Sequence, residues 1–329
     1  MIVVKPDFYD RFTCLAGACP DSCCQEWEVD IDDSTAQAYL ALQGELGQRL
    51  RQVMRQEDGL YCMTIENRRC PMWRKDGLCE IQAQLGHDAL CQTCRQFPRL
   101  RHDYGVYVEL GLELSCPEAA RLLFSPYKWV EETVPGGQAE CDPVWLDILL
   151  KSRKQALDFL QSSSLPIGEK LSVLLLYAYD VQAALDGEAL PPLDTAACLE
   201  SAKKYGKSSD LSGFYPFFLS LEILTPRWKA LLETRPEAAP CKADLAYLMK
   251  YFISRYWLQA VADGELTPWV KFMVVACLLV NALGEDTTAV AQLFSKEIEN
   301  APDNMDAILF GVYTQPAFTD ENLLGLLLK

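Results

Sequence analysis

The stretch RFTCLAGACPDSCCQEW, residues 11–27, decides how the N-terminal third of the chain is built, because it holds four cysteines in one short loop. Thiols this close in sequence must face a small common volume. Backbone N–H groups of such a loop can turn toward the sulfur atoms and stabilise negative charge on them. Adjacent Cys23 and Cys24 point apart in an extended chain, so one is expected in any given centre while its neighbour packs or serves a second. The loop therefore predicts a metal or iron–sulfur site.

The cysteines that follow strengthen this prediction. The segment CPMWRKDGLC spans residues 70–79, the segment CQTC spans residues 91–94, and Cys116 comes last. Ten of the fourteen cysteines lie between Cys14 and Cys116, whereas the other four are scattered singly, as small buried hydrophobic residues are. A CxxC pair alone is a weak signal, shared by zinc sites, redox motifs and chance. The conjunction of these segments favours a bound metal or cluster over purely structural thiols.

The kind of metal stays open at this point. Zinc and iron–sulfur clusters both accept four thiolates. The chain has two histidines, His87 and His102, so an all-cysteine site is favoured. His102 could be a ligand or a proton carrier, but a lone histidine in an arginine-rich loop is more often a surface residue.

The composition narrows the class of protein. The chain of 329 residues carries a formal net charge of −16, and no basic stripe follows a phosphate backbone, so nucleic acid is not an expected partner. An acidic surface favours encounter with lysine-bearing proteins, although negative charge also simply keeps proteins soluble. No apolar run reaches the roughly 20 residues that a membrane span needs. The first residues lack the apolar core of a signal peptide. We expect a cytoplasmic protein without a membrane segment, in a reducing compartment where thiolates bind metal more often than they form disulfides.

The sequence predicts a mainly α protein: an irregular cysteine-rich iron–sulfur or metal-binding N-terminal module with a short β-hairpin, followed by an all-α helical domain. Residues 1–128 form the predicted module, residues 129–142 (WVEETVPGGQAECD) the linker, and residues 143–329 the helical domain. The acidic residues, the proline and the two adjacent glycines of this segment indicate a linker. In the helical half, apolar residues recur at helical spacing and prolines open several segments, as they do at the first turn of helices.

Three elements are expected early in the module. Ser34 caps a helix that runs to residue 55, and a second helix covers residues 80–91. Apolar and acidic residues alternate around two glycines over residues 104–114, which predicts a strand or hairpin there.

The module is expected to end in a short helix. Ser115 and Glu118 form a capping-box pattern that opens a helix over residues 117–123. Beyond the linker we expect helices over residues 143–160, 166–185, 194–205, 226–233, 242–262, 268–283, 287–299 and 321–328.

Several catalytic motifs are absent from the sequence. It has no GxGxxG after a strand, no Walker loop, no HExxH and no GxSxG, which disfavours Rossmann, P-loop and serine-hydrolase chemistry. The CxxxCxxC arrangement of radical S-adenosylmethionine enzymes is also absent, because Glu26 stands where the third sulfur would follow Cys19 and Cys23. The motifs therefore give no support to a radical mechanism.

The order and type of the cysteine motifs resemble the FliB family of flagellin lysine N-methylases, within the broader group of CxxCxxCC zinc- or iron-chelating proteins. Residues 11–27 look like the opening motif of that family, and CPMWRKDGLCEIQAQLG looks like its middle motif. TCRQFPR (93–99) resembles its Cys-Arg-x-aromatic-Pro-Arg motif, and LELSCPEAAR (112–121) its closing motif. The resemblance implies a protein-lysine N-methyltransferase that uses S-adenosylmethionine on flagellin or another lysine-bearing protein. It also implies a [4Fe-4S] cluster in the cysteine module, with zinc as the alternative.

The cysteines that match positions of the broader group are the expected ligands. The leading candidates are Cys19, Cys79, Cys94 and one of the pair Cys23 and Cys24. Cys91 is left out because the family often has another residue at that position. Cys14 and Cys116 come last. The predicted metal ligands are Cys19, Cys23, Cys24, Cys70, Cys79 and Cys94.

Lysine methylation needs a neutral amine in line with the methyl group, so the site should supply a base and exclude water. Acidic and tyrosine side chains near the motifs suit this role: Glu113, Glu118 and Tyr107, with Tyr104 and Glu109 beside them. Arginines can hold the carboxylate of the cofactor through bidentate pairing: Arg95, Arg99 and Arg121. For any one of these residues, salt bridging within a polar loop is the more common fate.

Two other functions stay open from the sequence. The chain could be a non-catalytic iron–sulfur or zinc-binding module that docks a protein partner or transfers electrons. Zinc could also serve as a purely structural staple, because four thiolates can replace a core that the irregular N-terminal region lacks.

Overall fold

The computed structural model describes residues 1–57, 59–138 and 140–329. Within them the cysteine-rich N-terminal part contains two small β-sheets, and the rest of the chain is helical, which confirms the mainly α class. The sheets go beyond the single short hairpin that the sequence predicts. The strands are β1 (Ile2–Pro6), β2 (Val29–Ile31), β3 (Met54–Glu57), β4 (Leu60–Met63), β5 (Arg99–Asp103), β6 (Tyr107–Leu112) and β7 (Trp129–Thr133).

The larger sheet has the strand order β5-β6-β1-β7. β5 and β6 form the predicted hairpin, although it begins at Arg99 rather than at residue 104. β6 runs parallel to β1, with Val108 opposite Val3, and β7 runs antiparallel to β1, with Glu131 opposite Val4. Both partners of β1 lie about a hundred residues away along the chain. These pairings therefore cannot be predicted from the sequence of a connecting turn.

The smaller sheet, in the order β2-β4-β3, packs with two helices, α1 (Asp33–Ala41) and α2 (Gly44–Val53). The prediction of one helix capped by Ser34 is wrong in two respects. The N-cap is Asp32, whose carboxylate accepts from the Thr35 N–H at 3.1 Å. The helix is interrupted because Leu42 is extended and Gly44 adopts φ +86°.

Three short helices complete the N-terminal part: α3 (Glu80–Leu85), α4 (Gln92–Gln96) and α5 (Pro117–Leu123). The helix predicted over residues 80–91 ends early because Gly86 adopts φ +87°. α5 confirms the predicted helix, but the capping box is wrong: Cys116 is the N-cap and makes no side-chain cap. The Ser115 hydroxyl donates to Glu113 instead, and Glu118 pairs with Arg121.

The helical part follows the prediction closely. Its helices are α6 (Pro143–Ser162), α7 (Ile167–Leu185), α8 (Thr195–Tyr205), α9 (Phe214–Leu219), α10 (Pro226–Thr234), α11 (Leu245–Tyr256), α12 (Thr267–Leu283), α13 (Thr287–Phe294), α14 (Pro302–Thr314) and α15 (Asp320–Leu327). α9 and α14 are not predicted, because Pro216 and Gly311 break their helical patterns. α11 continues as a 3-10 turn, and α13 continues as a π-helical turn, Ser295–Glu299.

One hydrophobic core joins the two parts of the chain. Phe8 and Leu114 from the N-terminal part pack in the same buried cluster as Phe252 and Phe272 from the helical part. The predicted linker over residues 129–142 begins with β7, so its first residues belong to the larger sheet. The division into two domains stays a prediction. In the part of the chain that the structure describes, no helix has both the length and the hydropathy of a membrane span.

Candidate functional site

The first cysteine loop is shaped by hydrogen bonds to its own sulfur atoms. The Cys14 sulfur accepts from the Ala16 N–H at 3.3 Å, and the Cys19 thiol donates to the carbonyl oxygen of Asp21 at 3.3 Å. The turn between them, Ala16–Ala18, is a 3-10 turn. The turn and these bonds fold the loop back on itself between Cys14 and Asp21.

The adjacent thiols of Cys23 and Cys24 interact with each other, so they do not point apart as an extended chain would have them. This interaction is the largest effect on both groups: it raises the pKa of Cys23 and lowers that of Cys24. Burial raises both pKa values, and the Ser22 hydroxyl lowers that of Cys24. Ionisation of one thiol of the pair therefore disfavours ionisation of the other.

The loop over residues 70–79 folds back onto the first loop. The Cys70 N–H donates to the carbonyl oxygen of Cys24 at 2.8 Å, and Cys79 closes the loop through an isolated β-bridge. Gly77 adopts φ +80°, and a Cβ at this position would lie 2.9 Å from the Cα of Gly17. The two loops can therefore approach only because both residues are glycine. Cys70 lies near enough to Cys24 and Cys79 for their charges to raise its pKa.

Three cysteines stand at helix N-caps. Cys79, Cys91 and Cys116 immediately precede α3, α4 and α5, where backbone N–H groups have no partner within the helix. Burial raises the pKa of Cys79 and raises that of Cys116 to about 11, and first-turn N–H groups lower both. An interaction with Cys94 lowers the pKa of Cys91. First-turn N–H groups therefore offset part of the effect of burial at Cys79 and Cys116, whereas the lowered pKa of Cys91 comes first from Cys94.

Negative charge on one sulfur raises the pKa of its neighbours. Apart from the direct interaction between Cys23 and Cys24, these effects link most of the N-terminal cysteines into two sets. The first thiol group consists of Cys24, Cys70, Cys79 and Cys91. The second thiol group consists of Cys14, Cys19, Cys23 and Cys116. Cys94 interacts with Cys91 and with the adjacent pair Cys23 and Cys24, so it lies between the groups.

The six predicted ligands are thus spread over both groups, and their role as ligands stays a prediction. Cys91, which the sequence interpretation left out, belongs to the first thiol group. Its position directly before a helix is the signal that could have identified it. Among the described residues, no three cysteine, histidine, aspartate or glutamate side chains are arranged to bind one metal ion. The donor chemistry does fit a soft metal, since the groups are all thiols and their mutual repulsion would be relieved by a bound cation.

The cysteine loop is attached to the helical part at α13 and its π-helical continuation. The Lys296 ammonium lies 2.6 Å from the Asp21 carboxylate and 5.1 Å from the ring centroid of Trp27. The Gln292 amide donates to Asp21 at 2.9 Å and to the carbonyl oxygen of Ser115 at 2.6 Å. α13 therefore holds the loop between Cys19 and Cys23 against the segment that leads into α5.

A buried network of carboxylate, tyrosine and arginine side chains lies beside this junction; we call it the Glu299 network. The fully buried Glu299 accepts from the hydroxyls of Tyr256 at 2.5 Å and Tyr251 at 2.9 Å, and Arg255 Nε lies 3.8 Å away. Glu113 borders the network, and burial raises its pKa, with Glu299 raising it further. Of the predicted acid–base candidates, Glu113 is therefore a carboxyl group whose burial makes it a stronger base than an exposed carboxylate.

Sequence reasoning missed the other members of this network. Glu299, Tyr251 and Tyr256 lie in helices that read as ordinary apolar segments, and only their packing brings them together. His102, expected at the surface, is half-buried and contacts Arg255 at 2.8 Å. Burial, followed by the Arg255 charge, lowers the pKa of His102 to about 4, so this imidazole is neutral at physiological pH.

A second buried ion pair lies under the larger sheet. The guanidinium of Arg153 donates to Glu109 at 2.5 Å and to the Tyr107 hydroxyl at 2.9 Å. Burial raises the pKa of Glu109 and raises that of Tyr107 to about 12. The three residues line a cleft of about 470 Å³ between β7 and α6, whose wall includes the aromatic rings of Tyr127 and Trp129.

The remaining predicted site residues lie at the surface or apart from one another. Glu118 and the exposed Arg121 form a bidentate pair within α5. The Arg99 guanidinium lies 5.2 Å from the ring of Phe12. Arg95 is exposed and donates to the carbonyl oxygen of Asp88 at 3.4 Å. No direct contact joins the three predicted cofactor-binding arginines within the described residues.

The chain is similar in sequence to three curated proteins of Salmonella. The chain is 34% identical over 132 residues to the lysine-N-methylase of Salmonella typhimurium and 33% identical over 132 residues to that of Salmonella choleraesuis. It is 33% identical over 137 residues to the flagellar biosynthetic protein FliU of Salmonella muenchen. Each match takes in 38% of this chain. No family model and no solved structure matches.

The extent of these matches differs between the relatives. The match covers 78% of FliU but 33% of each lysine-N-methylase, so it spans about a third of the length of those enzymes. Fold and site define a mainly α protein with a thiol-rich N-terminal module and buried acid–base groups. The chain belongs to the FliB family, which includes the lysine-N-methylases and FliU.

Proposed function

We propose that this protein transfers a methyl group from S-adenosylmethionine to lysine ε-amines of a protein substrate, with flagellin as the first candidate. The observation that carries the proposal is the relationship to two curated lysine-N-methylases. The flagellar name of FliU supports flagellin as the substrate. The net charge of −16 supports a lysine-bearing protein rather than nucleic acid.

The transfer requires a neutral amine, and an ordinary lysine is protonated at neutral pH. The methyl donor supplies a carbon atom activated by its sulfonium. In the proposed reaction Glu113 accepts the proton of the substrate ammonium, because burial raises its pKa and makes it a stronger base than an exposed carboxylate. Tyr107 is the other candidate that lies in a protected place, beside the 470 Å³ cleft. Of the proposed cofactor-binding arginines, Arg95 and Arg99 are stronger candidates than Arg121, which Glu118 already engages.

The proposal includes an all-cysteine [4Fe-4S] cluster, with zinc as the alternative metal. Its ligands would come from the six cysteines Cys19, Cys23, Cys24, Cys70, Cys79 and Cys94. A bound cluster would supply positive charge that draws the thiol groups together and rigidifies a region built mainly of loops. This role is structural and does not by itself require electron transfer.

The test is methyl transfer by anaerobically purified protein together with metal analysis. We expect label from S-adenosylmethionine to appear on flagellin lysines, iron and sulfide in the protein, and loss of both in the variant Cys94→Ala. The matched control is Cys198→Ala, which removes a buried cysteine of α8, and it should keep both properties. Bound iron without binding of S-adenosylmethionine in calorimetry would contradict the proposal and favour a non-catalytic iron–sulfur module that docks a partner or transfers electrons.

A further inference from the structure

We propose that the open edge of β7, together with the cleft beside it, binds an extended lysine-bearing segment of the substrate protein as an additional β-strand. This inference rests on the proposed lysine methylation, because it names how the substrate would be presented. It is carried by the hydrogen-bond register of β7, the chemistry of the cleft and the charge of the strand. Adding a strand to a free sheet edge is a recurring way of binding extended peptides.

The register shows which backbone groups of β7 are free. Met1 and Val134 exchange two hydrogen bonds, of 3.1 and 3.0 Å, and the Asp7 N–H donates to the carbonyl oxygen of Lys128 at 2.9 Å. Hydrogen-bonded and non-hydrogen-bonded pairs alternate between antiparallel strands. Val130 and Glu132 therefore bond to β1, whereas the N–H and C=O groups of three residues face away from it: Trp129, Glu131 and Thr133.

The edge is accessible. β7 is the terminal strand in the sheet order, and in the ranges 1–57, 59–138 and 140–329 no strand pairs with its other side. Residues 130–133 are exposed. Natural edge strands are often protected by lysine or proline, but the sequence WVEET of β7 has neither. Outward-facing backbone groups on an exposed strand form a template for one more strand.

The cleft lies where a side chain of the added strand would reach. Trp129, Val130 and Glu131 of β7 line it together with Arg153 and Leu157 of α6. Alternate side chains of a paired strand point to the same face of a sheet. One side chain of a bound segment can therefore enter this space while its backbone pairs with Glu131.

The walls of the cleft suit an alkyl chain that ends in an amine. Tyr127 and Trp129 provide aromatic surface, with their ring centroids 6.3 Å apart. One face of the Tyr127 ring is already occupied by the Lys250 ammonium, 3.4 Å from its centroid, so Trp129 is the ring that a substrate ammonium would contact. Ammonium groups are attracted to the faces of such rings, and their methylene stems pack on apolar surface.

The charges favour a basic segment over an acidic one. β7 contributes Glu131 and Glu132 and has no basic residue. Of the basic residues that line the cleft, Arg153 is paired with Glu109, and Lys154 is paired with Asp158 at 2.5 Å. The third, Lys128, directly precedes β7 and has no ion-pair partner among the described residues. Glu131 has no ion-pair partner in the described part of the chain, so its carboxylate is available to a lysine.

The experiment measures binding separately from catalysis. The probe is a fluorescent, acetylated and amidated peptide of alternating valine and threonine around one lysine, titrated with the full chain and followed by anisotropy. The variant Glu131→Pro removes the outward N–H without touching the bonds to β1, and Glu131→Gln removes only the charge. Arg101→Pro is the matched control, because the register of β5 with β6 makes Arg101 an outward-facing residue on the opposite edge of the same sheet.

We expect wild type and Arg101→Pro to bind alike, Glu131→Gln to bind several-fold more weakly, and Glu131→Pro to bind about tenfold more weakly or worse. A peptide whose alternate backbone nitrogens are methylated should lose binding to the wild-type protein, which tests the added strand even if Glu131→Pro does not fold. Unchanged binding of the methylated peptide, or no binding of the parent peptide, would overturn the proposal.

The two proposals fail in different ways. Methyl transfer to lysine that is unaffected by Glu131→Pro and by backbone methylation would overturn the docking edge and leave the proposed function intact. Binding of the peptide that depends on Glu131 and on free backbone N–H groups, without methyl transfer by the wild-type protein, would support the docking edge and contradict the proposed function.

Discussion

The Lys296 ammonium lies 2.6 Å from the Asp21 carboxylate and joins the first cysteine loop to the helical part of the protein. The Lys296 side chain is 2% exposed, whereas that of Asp21 is 30% exposed. Lys296 belongs to the π-helical turn Ser295–Glu299, which also supplies Glu299 to its buried network. Such turns are rare and frequently occur at functional sites, because they re-aim side chains that an α-helix would direct elsewhere. One short turn thus contacts both the cysteine loop and the acid–base candidates.

Removing the carboxylate of this ion pair should cost more than removing the whole pair. Asp21→Asn leaves a buried ammonium without its counter-charge, so we expect the free energy of unfolding to fall by about 3 kcal/mol. The double variant Asp21→Asn with Lys296→Met should recover most of that loss, because no unpaired charge stays buried. Urea unfolding measures both.

The control for this prediction is an exposed ion pair. Asp147→Asn breaks the pair with Lys151 on the surface of α6, and it should change stability by less than about 0.5 kcal/mol. Equal effects of Asp21→Asn and Asp147→Asn would show that the buried pair does not hold the cysteine loop.

Features of this protein that arise from neighbouring residues are predictable from its sequence, and features that arise from distant residues are not. Local signals predict what is local: prolines at first turns and apolar periodicity predict the long helices, and the spacing of Cys14 to Cys24 predicts a folded thiol loop. Long-range contacts have no such signal. The pairing of Val3 with Val108, and the meeting of Glu113 with Glu299, depend on side chains far apart in sequence. The π-helical turn that aims Glu299 is equally invisible in a periodic apolar segment.

The Asp32 carboxylate should make stability depend on acid pH. It accepts from the N–H of Gln92 at 2.7 Å, from the Ser34 hydroxyl at 2.8 Å and from the Thr35 N–H at 3.1 Å. These bonds, that from Gln92 first, hold the pKa of Asp32 below its usual range in the folded protein. A lowered pKa stabilises the fold above the unfolded value of about 3.9, and this stabilisation is lost as the pH falls toward the folded value.

Two variants separate the charge of Asp32 from its capping role. Asp32→Ala should cost about 1 kcal/mol at neutral pH, whereas Asp32→Asn should cost less, because asparagine also caps helices well. The difference in the free energy of unfolding between wild type and Asp32→Asn should shrink as the pH is lowered below about 4. A difference that is constant from neutral pH to about pH 3 would contradict the ionised cap.

The thiol groups predict different outcomes for different cysteines. Among the six proposed ligands, Cys70→Ser should lower the bound metal by tenfold or more, since removing one of four thiolates leaves an incomplete site. An equal loss in Cys91→Ser would add Cys91 to the ligands and favour the first thiol group. Cys62→Ser is the matched control in the same module, because Cys62 packs in β4 and accepts from Arg55 at 3.2 Å. Metal analysis with a visible spectrum measures the effect. Retention of metal in Cys91→Ser with loss in Cys19→Ser would favour ligands from the second thiol group.

Glu113 and Glu118 offer a matched pair for testing the proposed proton acceptor, because both lie in the closing motif (residues 112–121) and yet differ in environment. Burial raises the pKa of Glu113, whereas the pairing with Arg121 lowers the pKa of Glu118. A proton acceptor contributes roughly 10²- to 10⁴-fold to a rate, so Glu113→Gln should slow methyl transfer within this range and remove the acid limb of the pH profile. Glu118→Gln breaks a surface pair and should leave both rate and profile unchanged. Equal rates in the two variants, with the pH profile retained, would exclude Glu113 as the acceptor and favour Tyr107 or Glu109, which line the cleft.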